Sequence, residues 1–551
     1  MNTLLSVCMI VKNEERVIER CLQSIQGIAD EIIIVDTGSE DDTKEIASKY
    51  TEQVYDFIWV NDFAKARNYA ASKATGDWIL ALDADEYVDR ESFEKFKEKL
   101  AIKPPQHEIN GIEIVSFIGN NASQTALNRH IRFYKNNGLI EYYRSIHEEL
   151  RHQDETKSEI GLINLTLYHT GYMKDTVKEK QKSDRNLSIL LKQKDKKAID
   201  YFYIGNEYNS LGDTEKAIIN YQKAFIKRNN VLVDWLKKLF IYLIDALYRE
   251  KRYKEALEVI SDCEEMYPNY ADYKYYKGLI YYTQKERKRA KAVFEYILKN
   301  KSHLVADHSN EFLELLPLTH LGFIYEKENQ LHKAVESYSQ AISLNESNNE
   351  LWSRLLYLLG KHSTLEELAT FINNRVVPSH GMNELRMLKI LLSVPLLAVQ
   401  KLTRSLLEEE VLTTFEKEAL LIKNYFLDGN LDEVIYLIEQ KKDEEIISIL
   451  LTDIFSISDF IIFSLAADYI RGQNLLLEIG LDDSIDDLLM NIFHNKSTKG
   501  IWNKTEEQFF LKTYKQAQVL KLLAVIELLD KKKYKLSKPI KEEIKAIKET
   551  L

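Results

Sequence analysis

The sequence predicts an α/β domain built on an open, mainly parallel sheet, followed by an all-α array of helical repeats. Two observations predict the first part and its sequel. Apolar runs of strand length alternate with amphipathic helical stretches as far as residue 86. Beyond residue 198 the strand signals stop, and small residues and tyrosines recur at the spacing of packed helix pairs. A third observation sets the scale: 551 residues exceed the roughly 250 to 300 that one core supports, so two or three domains are expected.

Each element follows from its residues. Leu5–Val11 is an almost continuous apolar run, suited to a strand buried on both faces of a parallel sheet. After Asn13, the positions Val17, Ile18, Cys21, Leu22 and Ile25 recur at helical spacing and form one apolar stripe. Residues 31–35 predict the second buried strand, which runs into Asp36, Thr37, Gly38 and Ser39. Ser39 and Asp42 have the spacing of a capping box, and Asp41 and Asp42 sit where a helix N-terminus favours carboxylates. A third strand is expected at residues 54–60, a helix at 62–74 and a fourth strand at 78–82. Such alternation predicts right-handed crossovers, with ligands bound beyond the carboxyl ends of the strands.

That rule selects acidic residues. Asp36 ends one strand, while Asp83, Ala84 and Asp85 end another, so both groups are expected at one edge of the sheet. Residues two apart on extended chain point to the same side, which would aim Asp83 and Asp85 at one cation. Magnesium or manganese suits such hard oxygen ligands, and would hold a diphosphate in its remaining positions. Acidic pairs of this kind also cap helices or face solvent, so the pair acquires meaning from its place at a buried strand's end.

The stretches 6–15 (Ser-Val-Cys-Met-Ile-Val-Lys-Asn-Glu-Glu), 30–39, 61–68 (Asn-Asp-Phe-Ala-Lys-Ala-Arg-Asn) and 76–86, which includes Asp83-Ala84-Asp85, stand in the order found in family-2 glycosyltransferases of the GT-A fold, and the first third of the chain resembles them. The resemblance implies a nucleotide-sugar donor, usually a UDP-sugar, and a Mg²⁺ or Mn²⁺ cofactor. It places Val11 and Glu14 near the nucleotide, Asp36 on the base, Arg67 on the base or diphosphate, and Ala84 by its backbone near the ribose. Glu14 is equally accounted for as a first-turn acid of a helix, and Arg67 as a surface arginine. Asp83 and Asp85 resemble the family's DxD metal motif. Further on, Arg132-Phe-Tyr-Lys135, which is followed by the hairpin-favouring dipeptide Asn137-Gly138, together with Ile146-His-Glu-Glu149 and Tyr168-His-Thr-Gly-Tyr172, is similar to a subfamily that includes lipopolysaccharide-core glucosyltransferases and S-glycosyltransferases of glycopeptide bacteriocins. The resemblance implies His169 as a third metal ligand. For an inverting transfer it implies Glu148 as the base, with His147 second. Family members often place an aspartate-containing acidic pair where this chain has His-Glu-Glu, which leaves the base open.

Past residue 198, Gly205, Gly212, Ala217, Tyr221 and Ala224 fit the tetratricopeptide pattern. The pattern returns at Gly278, Ala290 and Phe294, again at Gly322, Ala334, Tyr338 and Ala341, and more weakly around Ala246, Tyr248 and Ala256. The expected domains are therefore a GT-A catalytic domain at 1–180, a TPR-like solenoid at 181–378 and a C-terminal helical region at 379–551. Repeat arrays present walls that hold extended peptides or partners, which points to a peptide or protein acceptor and is compatible with a homodimer through the repeats.

Composition narrows the classes. A formal net charge of −11 argues against a general nucleic-acid surface, and Lys531, Lys532 and Lys533 read as a solvated helix face. Cys8, Cys21 and Cys263 form no CxxC pair and no metal-ligand cluster, which suits a reducing, cytoplasmic compartment. No apolar run reaches the roughly 18 residues of a membrane span. Two other functions remain open: transfer to a cell-envelope saccharide or lipid-linked glycan, and a repeat scaffold with a non-catalytic nucleotide domain. Asp83→Ala and Asp85→Ala are expected to abolish turnover and leave the fold intact.

Overall fold

The computed structural model describes residues 3–118, 124–154, 159–170, 176–228, 235–376, 383–406, 412–478, 488–489, 492–493 and 502–550. The chain divides into two compact units, Met1–Ser261 and Asp262–Leu551.

In the first unit, strands β1 (Leu5–Val11), β2 (Glu31–Asp36), β3 (Val54–Asp56) and β4 (Trp78–Ala81) alternate with helices α1 (Ile18–Ile25), α2 (Thr43–Ser48) and α3 (Phe63–Ala71). β1 lies between β2 and β4 and parallel to both, and β3 runs parallel along the far side of β2. Beyond β4 the sheet continues through β5 (Glu86–Val88), β6 (Ile109–Ile118), β7 (Gln124–Lys135) and β10 (Ile160–His169), in the order β3-β2-β1-β4-β7-β6-β10-β5. The β10–β6 pairing is parallel, whereas β4–β7, β6–β7 and β10–β5 are antiparallel, so the sheet is mostly parallel with a mixed far half. β8 (Ile140–Tyr143) and β9 (Glu149–His152) form a separate antiparallel pair.

Alternation along β1 explains why the run is apolar throughout. Leu5, Val7, Met9 and Val11 pack with Ile18, Cys21, Leu22 and Ile25 of α1 on one face of the sheet. Cys8 faces the other way and packs with Ile33, Val35, Ile79 and Ala81, against Ala64 and Ala70 of α3. Alanines at those α3 positions let the helix approach the strands closely.

Three local expectations are corrected. β3 stops at Asp56, leaving Ile58 88% and Val60 49% exposed, so apolar composition there does not mark a continuing strand. The Ser39–Asp42 capping box is not formed. Asp42 is the N-cap of α2 without a side-chain bond, because Ser39 Oγ instead accepts from the Asn13 backbone N–H at 3.0 Å. Asn137-Gly138 makes a turn, with Gly138 at φ +74°, but the strands on either side belong to different sheets. β7 pairs with β4 and β6, and β8 with β9, so the dipeptide joins no hairpin.

The rest of this unit is helical, with α4 (Arg90–Ile102), α5 (Thr176–Lys192), α6 (Ala198–Ser210), α7 (Thr214–Lys227), α8 (Trp235–Arg249) and most of α9 (Tyr253–Met266). In the second unit α10 (Ala271–Thr283) pairs with α11 (Arg287–Asn300), and α12 (Leu315–Lys327) with α13 (Leu331–Leu344). Each well-formed pair repeats one device: a glycine on the first helix faces an aromatic ring 16 positions later. A Cβ built on Gly205, Gly278 or Gly322 would stand 2.5, 2.6 or 2.3 Å from the ring of Tyr221, Phe294 or Tyr338. The recurring glycines are thus required by ring packing, not by backbone conformation. Gly322→Ala is expected to cost about 1 to 3 kcal/mol, read as a lowered unfolding temperature of the second unit. Beyond residue 383, helices close around a separate aromatic-rich core that includes Phe426, Phe455, Phe460, Phe463, Phe510 and Tyr514. Among the described residues no helix is long and apolar enough to cross a membrane.

Candidate active site

The carboxyl ends of β1, β2 and β4 meet at one sheet edge, and the acidic residues are there. Val11 and Asp36 are register partners at the last position of β1 and β2. On the other side of β1, Leu82 donates its backbone N–H to Cys8 at 3.1 Å, which carries the chain from β4 directly into Asp83. Thr37 caps the end of β1, giving both its N–H and its hydroxyl to the Val11 carbonyl at 3.0 Å.

Asp36 is 2% exposed. Its Oδ1 accepts from the Gly38 and Ser39 N–H groups, each at 2.9 Å, which sets the turn. Its Oδ2 is buried without a hydrogen-bond partner. A buried carboxylate oxygen left unpaired is costly, and in a native fold it calls for a donor from elsewhere. Glu14 lies half-buried in the neighbouring loop after β1, where its N–H donates to Thr43 Oγ1 at 2.7 Å.

Arg67 stands on the buried face of α3, 8% exposed, and is not a surface arginine. Its Nε donates to Glu148 Oε1 at 2.6 Å and its Nη2 to Asp83 Oδ1 at 2.9 Å. The next residue holds the same hairpin in place: Asn68 donates to the Tyr142 carbonyl and accepts from the Tyr142 N–H, both at 2.8 Å. Asp83 is clamped from the other side by Arg132 Nη2 at 2.6 Å. Arg132 arrives through the antiparallel pairing of β7 with β4, where Phe133 is opposite Leu80. Burial alone would raise the Asp83 carboxyl, but Arg132 and Arg67 outweigh it and hold the group far below the usual carboxylate range. Glu86 goes the opposite way. Burial, reinforced by Asp83 and Asp85 and opposed by Arg132, pushes it up to about 7. Its Oε2 accepts from the Asp83 N–H at 3.0 Å, holding the turn that contains Ala84, which is 4% exposed.

Asp83 and Asp85 do not share one direction as the two-residue spacing predicted. β4 ends at Ala81, and Asp83 to Asp85 form a turn, where strand alternation no longer applies. Asp83 faces the two arginines, while Asp85 Oδ2 is 3.1 Å from His169 Nε2. His169 reaches it because β10 pairs antiparallel with β5, placing His169 opposite Glu86. Burial lowers the His169 pKa, but the hydrogen bond and charge of Asp85, with Glu86 and Asp83 behind, hold it above its ordinary value. Among the described residues no three His, Cys, Asp or Glu side chains are grouped to hold a metal ion; Asp85 pairs with His169 while Asp83 faces the two arginines.

The segment Arg144 to Glu148 connects β8 to β9 and is held in an unusual conformation, with φ of +74° at Arg144 and +50° at His147. Helix α6 secures it: Arg144 donates to Asp200 at 2.6 Å, and the His147 ring stacks on Tyr203 with centroids 3.7 Å apart. His147 is thereby separated from the Arg67–Asp83 network that Glu148 joins. Burial, with Arg144 adding, lowers the His147 pKa to about 4, and its Nε2 has no partner. Arg132 and Glu86 lay within recognised stretches of sequence but received no role there. Arg132 could have been found as a charged residue in a strand whose Phe133 and Tyr134 are core. Tyr172 lies outside the described residues.

Residues 6–161 match the model described as Glycosyl transferase family 2, and residues 201–225 and 317–348 match that described as Tetratricopeptide repeat. A TPR repeat-containing protein of Synechococcus elongatus is 32% identical over 187 residues, covering 33% of this chain and 45% of that protein. The SPbeta prophage-derived glycosyltransferase SunS of Bacillus subtilis is 28% identical over 291 residues, covering 49% of this chain and 65% of SunS. The matches thus span between 45% and 65% of the length of these relatives. A crystal structure of S. aureus TarS is 15% identical with a TM-score of 0.27, over 46% of this chain and 54% of TarS. By the two family matches and by its sheet, the chain carries a glycosyl transferase family 2 domain of GT-A type followed by tetratricopeptide repeats.

Proposed function

We propose that this chain transfers a sugar from a UDP-sugar to a polypeptide acceptor, with inversion, at the edge formed by Asp36, Arg67, Asp83, Asp85 and Glu148. The observation that carries the reading is the buried, unpaired Oδ2 of Asp36 beside the strand ends. It fits the N–H of a uracil edge, with Val11, Glu14 and the Ala84 backbone around the nucleoside. Asp85 and His169 would hold a magnesium- or manganese-class ion, with Asp83 in the same turn. Such an ion would supply charge neutralisation to the departing diphosphate. Asp83 acts one step back: it holds Arg67 and Arg132, whose charges favour the diphosphate end of the donor.

The acceptor oxygen or sulfur attacks the anomeric carbon as that carbon's bond to the diphosphate breaks, and the acceptor's proton passes to a base. Glu148 takes that role. Arg67 occupies its Oε1, and its Oε2 is left for the proton. His147, stacked and with its pKa lowered, is the weaker choice. In this reading residues 1–180 form the catalytic domain and the repeats hold the acceptor, which the extents of the two family matches support.

The test is direct. The purified full chain is mixed with Mn²⁺ and a panel of UDP-sugars, with and without candidate peptides, and UDP binding and release are measured. UDP is expected to bind, and Asp36→Ala to weaken it by roughly tenfold or more, as for loss of a buried charged acceptor. No UDP binding, or equal binding by Asp36→Ala, would overturn the assignment of the base site.

A further inference from the structure

The second unit contains a cavity of about 360 Å³ that lies outside the repeats, in the C-terminal helical region. Four helices surround it: Glu384–Ser393, Thr414–Leu427, Ile457–Ala466 and Lys504–Val519. Each of three of them contributes lysine to the lining, namely Lys389, Lys423, and the pair Lys512 and Lys515. Two acids line the same space, Asp453 and Asp459. The chain as a whole carries −11, so a cavity with four ammonium groups against two carboxylates runs against the general field.

The two acids are already committed. Asp459 is 2% exposed; its Oδ1 accepts from Lys423 Nζ at 2.6 Å, and its Oδ2 accepts from the Ser456 N–H and hydroxyl at 2.9 and 2.8 Å. Asp453 meets Lys512 at 3.4 Å. Lys515 reaches out to Glu543 at 2.9 Å in an exposed pair that a bound anion outcompetes easily. Lys389 has no ion-pair partner among the described residues.

Three further features set the chemistry. Lys423 is 3% exposed in its side chain and is held in a buried pair with Asp459, which fixes an ammonium group at the wall of the cavity. Ser456 and Ser458 line the cavity at the N-terminal turn of Ile457–Ala466, which Ser456 and Asp459 cap, and add polar groups to its wall. Leu392, Ile454, Pro395 and Val519 supply an apolar wall, so the space suits a molecule with a charged head and a less polar body. The volume lies at the lower end of small-molecule sites, roughly 300 to 1,000 Å³, and is too small for a polymer.

We propose that this cavity is a binding site for a small phosphate-bearing solute, with Lys389, Lys512 and Lys515 engaging the phosphate and Lys423 beneath. It is independent of the sheet-edge site. The test is calorimetric titration of the full chain with inorganic pyrophosphate in EDTA, which removes any binding that needs a divalent ion. The parent is expected to bind pyrophosphate under these conditions. Lys389→Gln/Lys512→Gln is expected to bind roughly tenfold or more weakly. Lys389→Arg/Lys512→Arg, which keeps both charges, should bind as the parent does and thereby separates charge from folding. No binding by the parent, unchanged binding by the glutamine pair, or equal loss in the glutamine and arginine pairs would each overturn the proposal.

Discussion

Asp83→Ala is expected to lower the unfolding temperature of the first unit sharply as well as to abolish transfer. The carboxylate is the shared partner of Arg67 and Arg132, and both guanidinium groups are buried, with side-chain exposures of 8% and 14%. Removing Asp83 leaves Arg67 with Glu148 alone and Arg132 with Glu86 at 3.7 Å, so both buried guanidinium groups lose a hydrogen-bonded charge partner, which costs about 1 to 3 kcal/mol because Asp83 itself is 32% exposed. The expectation from sequence alone, that the fold would stay intact, is thereby revised: a cluster of acids at a strand end reads as dispensable only while its partners are unseen. Asp83→Asn is the informative comparison. It keeps hydrogen-bond acceptance by its amide oxygen but not the charge, so its unfolding temperature should fall between those of the parent and the alanine variant. Differential scanning calorimetry checks this, and a melting profile of Asp83→Ala equal to the parent's would remove the network from the account of stability.

Asp85→Ala should behave in the opposite way, losing turnover with little loss of stability. Asp85 is paired with His169 at 3.1 Å, but both side chains are partly exposed, at 27% and 18%, so the pair contributes about 1 kcal/mol or less. The Asp85 backbone carbonyl still accepts from the Thr170 N–H at 3.2 Å, which keeps β5 and β10 together in the variant. If Asp85 and His169 hold the cation, transition-state stabilisation of several kcal/mol is lost, roughly a 10²- to 10³-fold drop in nucleotide release. His169→Ala should follow it, and excess Mn²⁺ should restore part of the activity of either variant. Full turnover by Asp85→Ala would eliminate the cation assignment, while parent-like melting of the same sample would show that the fold is not the reason.

Much of the first domain was legible because burial imposes a simple code on β1, β2 and β4. A strand covered by helices on both faces must be apolar at successive positions, and such runs are rare by chance. Asp36 and Arg67 could be located from the strand-end rule and the recognised stretches. What failed was local: β3 was overextended because Ile58 and Val60 are apolar yet exposed, and Asn137-Gly138 was read as a hairpin because a turn signal does not say which strands will pair. Arg132 and Glu86 were passed over because nothing in a one-dimensional pattern shows that a strand far along the chain will fold back antiparallel beside β4.

The repeats divide along the same line. Gly205, Gly278 and Gly322 were visible as members of a recurring pattern, but their collision distances with Tyr221, Phe294 and Tyr338 exist only once two helices are packed. The sequence by itself determined the order of elements, the strand ends that carry acids and the repeat spacing, since these depend on neighbours a few residues apart. Tertiary structure alone decided that Asp83 would face Arg67 and Arg132, that Asp85 would face His169, and that His147 would turn onto Tyr203. Those partners are separated by 16 to 84 residues, and the side chain that neutralises a buried charge is chosen by strand pairing and helix docking rather than by anything written next to it.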